Sequence, residues 1–143
     1  MSAEGTFRSY IDAFNRGDAA AVAALYAPET TFRNPFSPAP MTTREAVHAF
    51  VTPMFAAYSD MAAAMEDMVV DGEHVAARLV ICGLHTGVLQ RPDGPVAGTG
   101  RRVQMRTAEF LRVDDDGLIV DHERIFDSAT LLAQLGLVDG GGR

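Results

Sequence analysis

The stretch RVQMRTAEFLRVDDDGLIVDHERIFD, residues 102 to 127, decides the fold. Its first half alternates with a period of two: Val103, Met105, Thr107, Glu109 and Leu111 share one side, and Arg102, Gln104, Arg106, Ala108, Phe110 and Arg112 the other. The arginine-bearing side suits water, so the Glu109 side is predicted to be buried, and a buried carboxyl needs partners. Asp114, Asp115, Asp116 and Gly117 are turn residues that fold 118 to 127 back as a hairpin. A four-residue loop pairs Val113 with Leu118, which sets Glu109 opposite His122 and Thr107 opposite Arg124. A three-residue loop would face Glu109 with Glu123, and directly opposed like charges are disfavoured. The first register is therefore expected, and it gathers a Glu, a His and an Arg within one sheet.

Upstream of this hairpin the pattern divides into helices and then strands. Phe7, Tyr10, Ile11 and Phe14 recur at helical spacing over residues 4 to 15, and Gly17 follows as a stop. Asp18 can cap a second short helix through Tyr26, ended before Pro28. Thr31 to Arg33 reads as a short extended piece, and Pro35 to Pro40, with three prolines, as a loop. Thr42 and Glu45 have capping-box spacing and open a third helix with Val47, Phe50, Val51, Met54 and Phe55 on one side. Pro53 inside it predicts a kink or an early break. Strands are expected at 61 to 70, 75 to 86, 101 to 113 and 118 to 127, separated by Asp71-Gly72, by a long Gly/Pro loop at 87 to 100, and by the Asp run. A last short helix, 128 to 135, ends at Gly136. Helices followed by an antiparallel meander make an α+β fold: a cone-shaped curved antiparallel sheet with the N-terminal helices packed on its concave face and a hollow between them.

Composition narrows the function. A chain of 143 residues with 48% hydrophobic content suits one domain, here residues 1 to 137, with 138 to 143 a disordered Gly-rich tail. A formal charge of -7 is wrong for a nucleic-acid partner. All 12 cationic residues are Arg, which excludes lysine Schiff-base chemistry and the phosphate-loop lysine. The lone Cys82 can form no internal disulfide and fits a reducing compartment. No basic-then-apolar leader opens the chain and no long apolar run crosses a membrane, so a cytoplasmic location is expected. Cys82 and His85 point to opposite strand faces and the other histidines are isolated, so no metal is expected. The Asp114 to Asp116 run lacks the alternating ligands of a calcium loop.

The stretches Tyr10-Ile-Asp-Ala-Phe-Asn-Arg-Gly-Asp18, Leu25-Tyr-Ala-Pro28 and Phe32-Arg-Asn-Pro35 resemble the opening of the nuclear transport factor 2-like superfamily, which holds the ketosteroid isomerases and the SnoaL-like polyketide cyclases. Gly83-Leu-His-Thr-Gly87, Thr99-Gly-Arg101, Asp116-Gly-Leu-Ile-Val-Asp-His122 and Gln134-Leu-Gly136 are similar to the cyclase branch. The resemblance spans nearly the whole chain and implies the cystatin-like cone, no cofactor, and a homodimer through the sheet. It also puts Tyr10 at the isomerases' oxyanion-hole tyrosine and Glu109 at their protonated aspartic acid. Asn34 stands where the isomerases keep their base and cannot take a proton from carbon at neutral pH. Arg124 stands at the position of the cyclases' aspartate. The chain thus departs from both templates at the proton-handling residue.

If Tyr10, Asn34, Glu109, His122 and Arg124 line one cavity, charge decides the state of Glu109. An Arg at about 4 Å is worth roughly 4 kcal/mol at an effective dielectric of about 20, comparable to the cost of burying the carboxylate. An ionised Glu109 is expected, orienting His122 as an acid/base pair, with Tyr10, Asn34 and Arg124 as donors to an oxyanion. Phe14, Phe36, Phe50, Met54, Leu79, Ile81, His85, Met105, Leu111 and Phe126 are the expected contacts for a hydrophobic, carbonyl-containing substrate. Polyketide-type ring closure is the leading reaction. A dehydratase or isomerase using the His-Glu pair and a non-catalytic small-molecule binder are the alternatives. The same residues equally describe a buried charge satisfied by its neighbours, and periodicity does not separate these readings.

Overall fold

A computed structural model describes residues 1 to 138, so the tail expected at 138 to 143 lies, apart from Val138, outside the described residues. The elements are α1 (Ala3–Asn15), α2 (Ala19–Ala24), β1 (Glu29–Arg33), β2 (Met41–Thr43), α3 (Arg44–Ala57), β3 (Tyr58–Asp71), β4 (His74–His85), β5 (Arg102–Val113), β6 (Ile119–Ile125) and α4 (Ser128–Gln134). They form the expected α+β fold, one six-stranded sheet in the order β2-β1-β6-β5-β4-β3 with the helices packed on it. No helix among the described residues is long and apolar enough to cross a membrane.

Local chemistry accounts for the helix ends. Ser2 and Asp18 cap α1 and α2 by accepting from the Gly5 and Ala21 amides, and Gly17, at φ +64°, makes the left-handed turn between them. Phe7, Tyr10 and Phe14 are buried along one face of α1, which packs on β3, β4 and β5. In α3 the cap falls one residue later than expected. Thr43, not Thr42, accepts from the Ala46 amide, because Met41 to Thr43 is taken up as a short edge strand against β1. The helix also runs unbroken through Pro53. The buried face of Val47, Val51 and Ala57 holds it together where intrinsic propensity would break it.

Two features of the sheet depart from the sequence reading. The strands β3 to β6 are the antiparallel meander, but β1 then joins β6 in parallel, with Phe32 beside His122 and Arg33 beside Glu123. The hairpin register is also corrected by two residues: Glu109 faces Arg124, and His122 faces Leu111. Asp114 closes the turn, its carboxylate accepting from the Asp116 and Leu118 amides and its own amide donating to Leu118. Val113 then pairs with Ile119, and a bulge between Arg112 and Val113 adds the second step of the shift. A slip of two keeps every side chain on its face, so Glu109, His122 and Arg124 still point inward together.

Candidate functional site

Inward from the sheet lies a continuous chain of buried polar groups. His122 Nε2 lies 2.7 Å from Glu109 Oε1, and Arg124 Nε donates to Glu109 Oε2 at 2.7 Å. Thr107 Oγ1 donates to the same oxygen at 2.5 Å, and Arg124 Nη2 donates to the Tyr10 hydroxyl at 3.1 Å. At the other end Tyr26 Oη lies 2.6 Å from His122 Nδ1. Glu109 and His122 are fully buried, and Arg124 is 2% exposed. Phe32 stacks on the imidazole at 4.3 Å between ring centres, nearly parallel, as the β1–β6 pairing requires.

Charge settles the protons. Burial pushes the Glu109 carboxyl up, but the Arg124 guanidinium and the bond from His122 outweigh it and hold the pKa at about 2. Glu109 is therefore an anion, as expected from the sequence. Burial lowers His122 against the opposing pull of Glu109. Burial raises Tyr26 well above the phenol range, so it stays protonated. A neutral His122 must then donate from Nε2 to the carboxylate and accept from Tyr26 at Nδ1. Both ring nitrogens are occupied.

These protonation states predict an acid response in two steps. The native state excludes from His122 a proton that the unfolded chain takes up below about 6.5. Glu109 contributes stability above the unfolded value of 4.5, which is lost as the pH falls toward about 2. Unfolding free energy in denaturant should fall from pH 7 to 5, and fall again below 4.5, by up to about 1.4 kcal/mol per pH unit for each group. A flat response between pH 7 and 5 would show that His122 is not a buried neutral imidazole.

A mostly apolar cavity of about 510 Å³ opens between α3, α4 and the sheet. Of the residues expected to line it, Phe14, Asn34, Phe36, Phe50, Met54, Ile81, Met105, Arg124 and Phe126 do so. Tyr10, Glu109 and His122 do not: they lie behind the wall, covered by the aromatic rings of α1 and β1. Leu79 and Leu111 belong instead to the buried core, in the same cluster as Phe7, Tyr10 and Phe14 of α1. His85 is fully buried and bonded to Thr99 instead of reaching the cavity mouth. The single cavity expected for all five polar residues is thus two layers, joined by Arg124.

Arg124 reaches both layers. Its Nε and Nη2 are held by Glu109 and Tyr10, leaving Nη1 with no protein partner among the described residues. Continuing the β1–β6 register brings Asn34 level with it. The Asn34 side-chain Oδ1 accepts from the Phe36 amide at 2.9 Å, so its NH₂ group is left to donate.

A family model for the SnoaL-like polyketide cyclases matches residues 5–135. The chain belongs to that family. Among solved structures, this SnoaL-like chain is similar to IdmH, a candidate polyketide cyclase from Streptomyces antibioticus, at 32% identity over 95% of this chain and 99% of that one, with a TM-score of 0.77. A candidate polyketide cyclase from Xanthomonas campestris pv. campestris is 26% identical over 93% and 96%, with a TM-score of 0.75. TsrD from Streptomyces laurentii shares the fold at 23% identity over 94% and 95%, with a TM-score of 0.78. No curated protein matches the sequence.

Tyr26, Thr107 and Phe32 complete the buried network, and Tyr58, Met61 and Leu131 complete the cavity. None of them has a role in the site that follows from the sequence alone. Thr107 was legible by parity alone, since it shares the Glu109 face. Tyr26 was not, because its bond to His122 depends on the chain crossing beside Ile119 before β1 joins β6.

Proposed function

We propose that this SnoaL-like protein closes a ring in a polyketide-type, carbonyl-containing substrate by holding its enolate in the apolar cavity, with Arg124 Nη1 and the Asn34 NH₂ as donors to the oxygen. One observation carries the reading: the cavity wall brings a buried guanidinium with a free edge to a lining that holds no carboxylate and no imidazole among the described residues. With no such base on the wall, water takes the α-proton as the two donors stabilise the enolate oxygen. The enolate carbon attacks a second carbonyl of the same molecule, a C–C bond forms, and water returns the released proton to the new alkoxide. The protein supplies a folded substrate conformation and oxyanion stabilisation. In this reading Glu109, His122 and Tyr10 position Arg124 and do not themselves move the substrate proton.

The rival reading, a binder without turnover, is favoured by the same lack of a base on the wall. Deuterium exchange at C2 of 1-tetralone in D2O, followed by NMR, separates them. The enzyme reading expects exchange faster than in protein-free buffer, slowed about 100-fold by Asn34→Ala, the usual cost of one oxyanion donor. Saturable binding with no acceleration would leave only the binder.

A further inference from the structure

The motif Gly83-Leu-His-Thr-Gly87 and its companion Thr99-Gly-Arg101 take no part in the hydrogen bonds of Glu109, His122 and Arg124, yet the chain is built closely around them. His85 exchanges backbone bonds with Gly100 and Arg101, and the amides of Thr86 and Gly87 both donate to Ala57. A Cβ at Gly87 would come within 2.1 Å of the Ala56 carbonyl oxygen, and one at Gly98 within 2.4 Å of the Thr86 carbonyl oxygen. Neither position admits a side chain. Gly83 leaves room for Tyr58, whose Cβ would lie 3.3 Å from a Cβ placed there. The result of this close packing is one pair of rings, Tyr58 and His85, with centres 5.5 Å apart.

Both rings end in a polar atom with no partner. Tyr58 Oη and His85 Nε2 are the two buried side-chain polar atoms left unsatisfied among the described residues. The imidazole proton can be assigned by its surroundings. The Thr99 amide donates to Nδ1 at 3.2 Å, and Thr99 Oγ1 lies 2.9 Å from the same atom. Nδ1 therefore accepts, and the neutral ring carries its proton on Nε2 as an unused donor. Tyr58 lines the cavity beside Met54 and Met61, although its hydroxyl is sealed from solvent. Methionine side chains are flexible enough to give way to an entering group.

We propose that Tyr58 and His85 form a second hydrogen-bonding pole of the cavity, which opens to take an acceptor oxygen of the substrate distant from the one held at Arg124 and Asn34. The inference rests on the ring-closure reading for the first pole and deepens it: the substrate carries two oxygen functions separated by an apolar body. The close-packed glycines keep the pole in place, and Thr99 keeps the imidazole in the donating tautomer.

The test compares 1-tetralone, which has one oxygen, with 5-, 6- and 7-hydroxy-1-tetralone by calorimetric titration. The wild type is expected to bind at least one hydroxytetralone about tenfold more tightly than 1-tetralone, and Tyr58→Phe to reduce that ratio to about one. Because the hydroxyl has no protein partner among the described residues, Tyr58→Phe should also keep or raise the Tm, which a structural hydrogen bond would not allow. Long-range 1H–15N spectra should show His85 as the Nε2–H tautomer, with Nε2 shifting on addition of the hydroxytetralone and not of 1-tetralone. A ratio near one in the wild type, or a ratio unchanged in Tyr58→Phe, overturns the second pole while 1-tetralone binding leaves the first intact. Failure of 1-tetralone itself to bind overturns both.

Discussion

Arg124→Met is expected to abolish accelerated exchange in 1-tetralone and to destabilise the fold by about 3–5 kcal/mol, because it leaves Glu109 as a buried charge without its cation. The two losses have different origins, and a second substitution separates them. In the double variant Glu109→Gln/Arg124→Met both charges are gone, while the Gln oxygen can still accept from His122 and its NH₂ can donate to the Thr107 hydroxyl. Most of the lost stability should return, as it does when both members of a buried pair become neutral. Exchange should not return, since no cationic donor then faces the cavity from position 124. Denaturant titrations and exchange rates on the same three proteins decide the matter. A double variant that recovers stability and also exchanges at the wild-type rate would remove Arg124 from the chemistry and leave it a structural counter-ion.

Phe32→Ala is the second large effect. Phe32 is 1% exposed and lies against His122, Tyr26 and Phe50, so its truncation should cost about 3–5 kcal/mol through lost burial and the void left behind. It should also admit water to one face of the imidazole. Since burial is the leading cause of the lowered His122 pKa, the group should titrate closer to 6.5 in the variant. NMR titration of the His122 ring checks this directly. If its titration is unmoved while stability falls, the ring stack is not what keeps His122 neutral, and the charge of Arg124 becomes the remaining cause.

How much of this was legible beforehand can be followed through Glu109. Its burial and its ionised state followed from two-residue alternation and from the Arg two positions beyond His122. Its direct partners on β6 also followed, although the register was two residues out. The error was harmless because strand parity survives an even slip. The same local reading failed for Tyr10 and His122 as cavity residues. Helical and strand periodicity tell which side of an element faces inward. They do not tell whether that side meets a hollow or another side chain, and here Phe32 fills the space over the imidazole.

The sequence by itself determined the order of helices and strands, the inward face of each, the family resemblance and the identity of the buried charges, because these depend on neighbours within a few positions along the chain. Only the tertiary structure decided that β1 joins β6 in parallel, that Tyr26 reaches His122, and that the polar residues divide into a sealed layer and a cavity wall sharing Arg124. Those outcomes depend on contacts between segments tens of residues apart, whose geometry is set by how the layers pack and not by any local repeat.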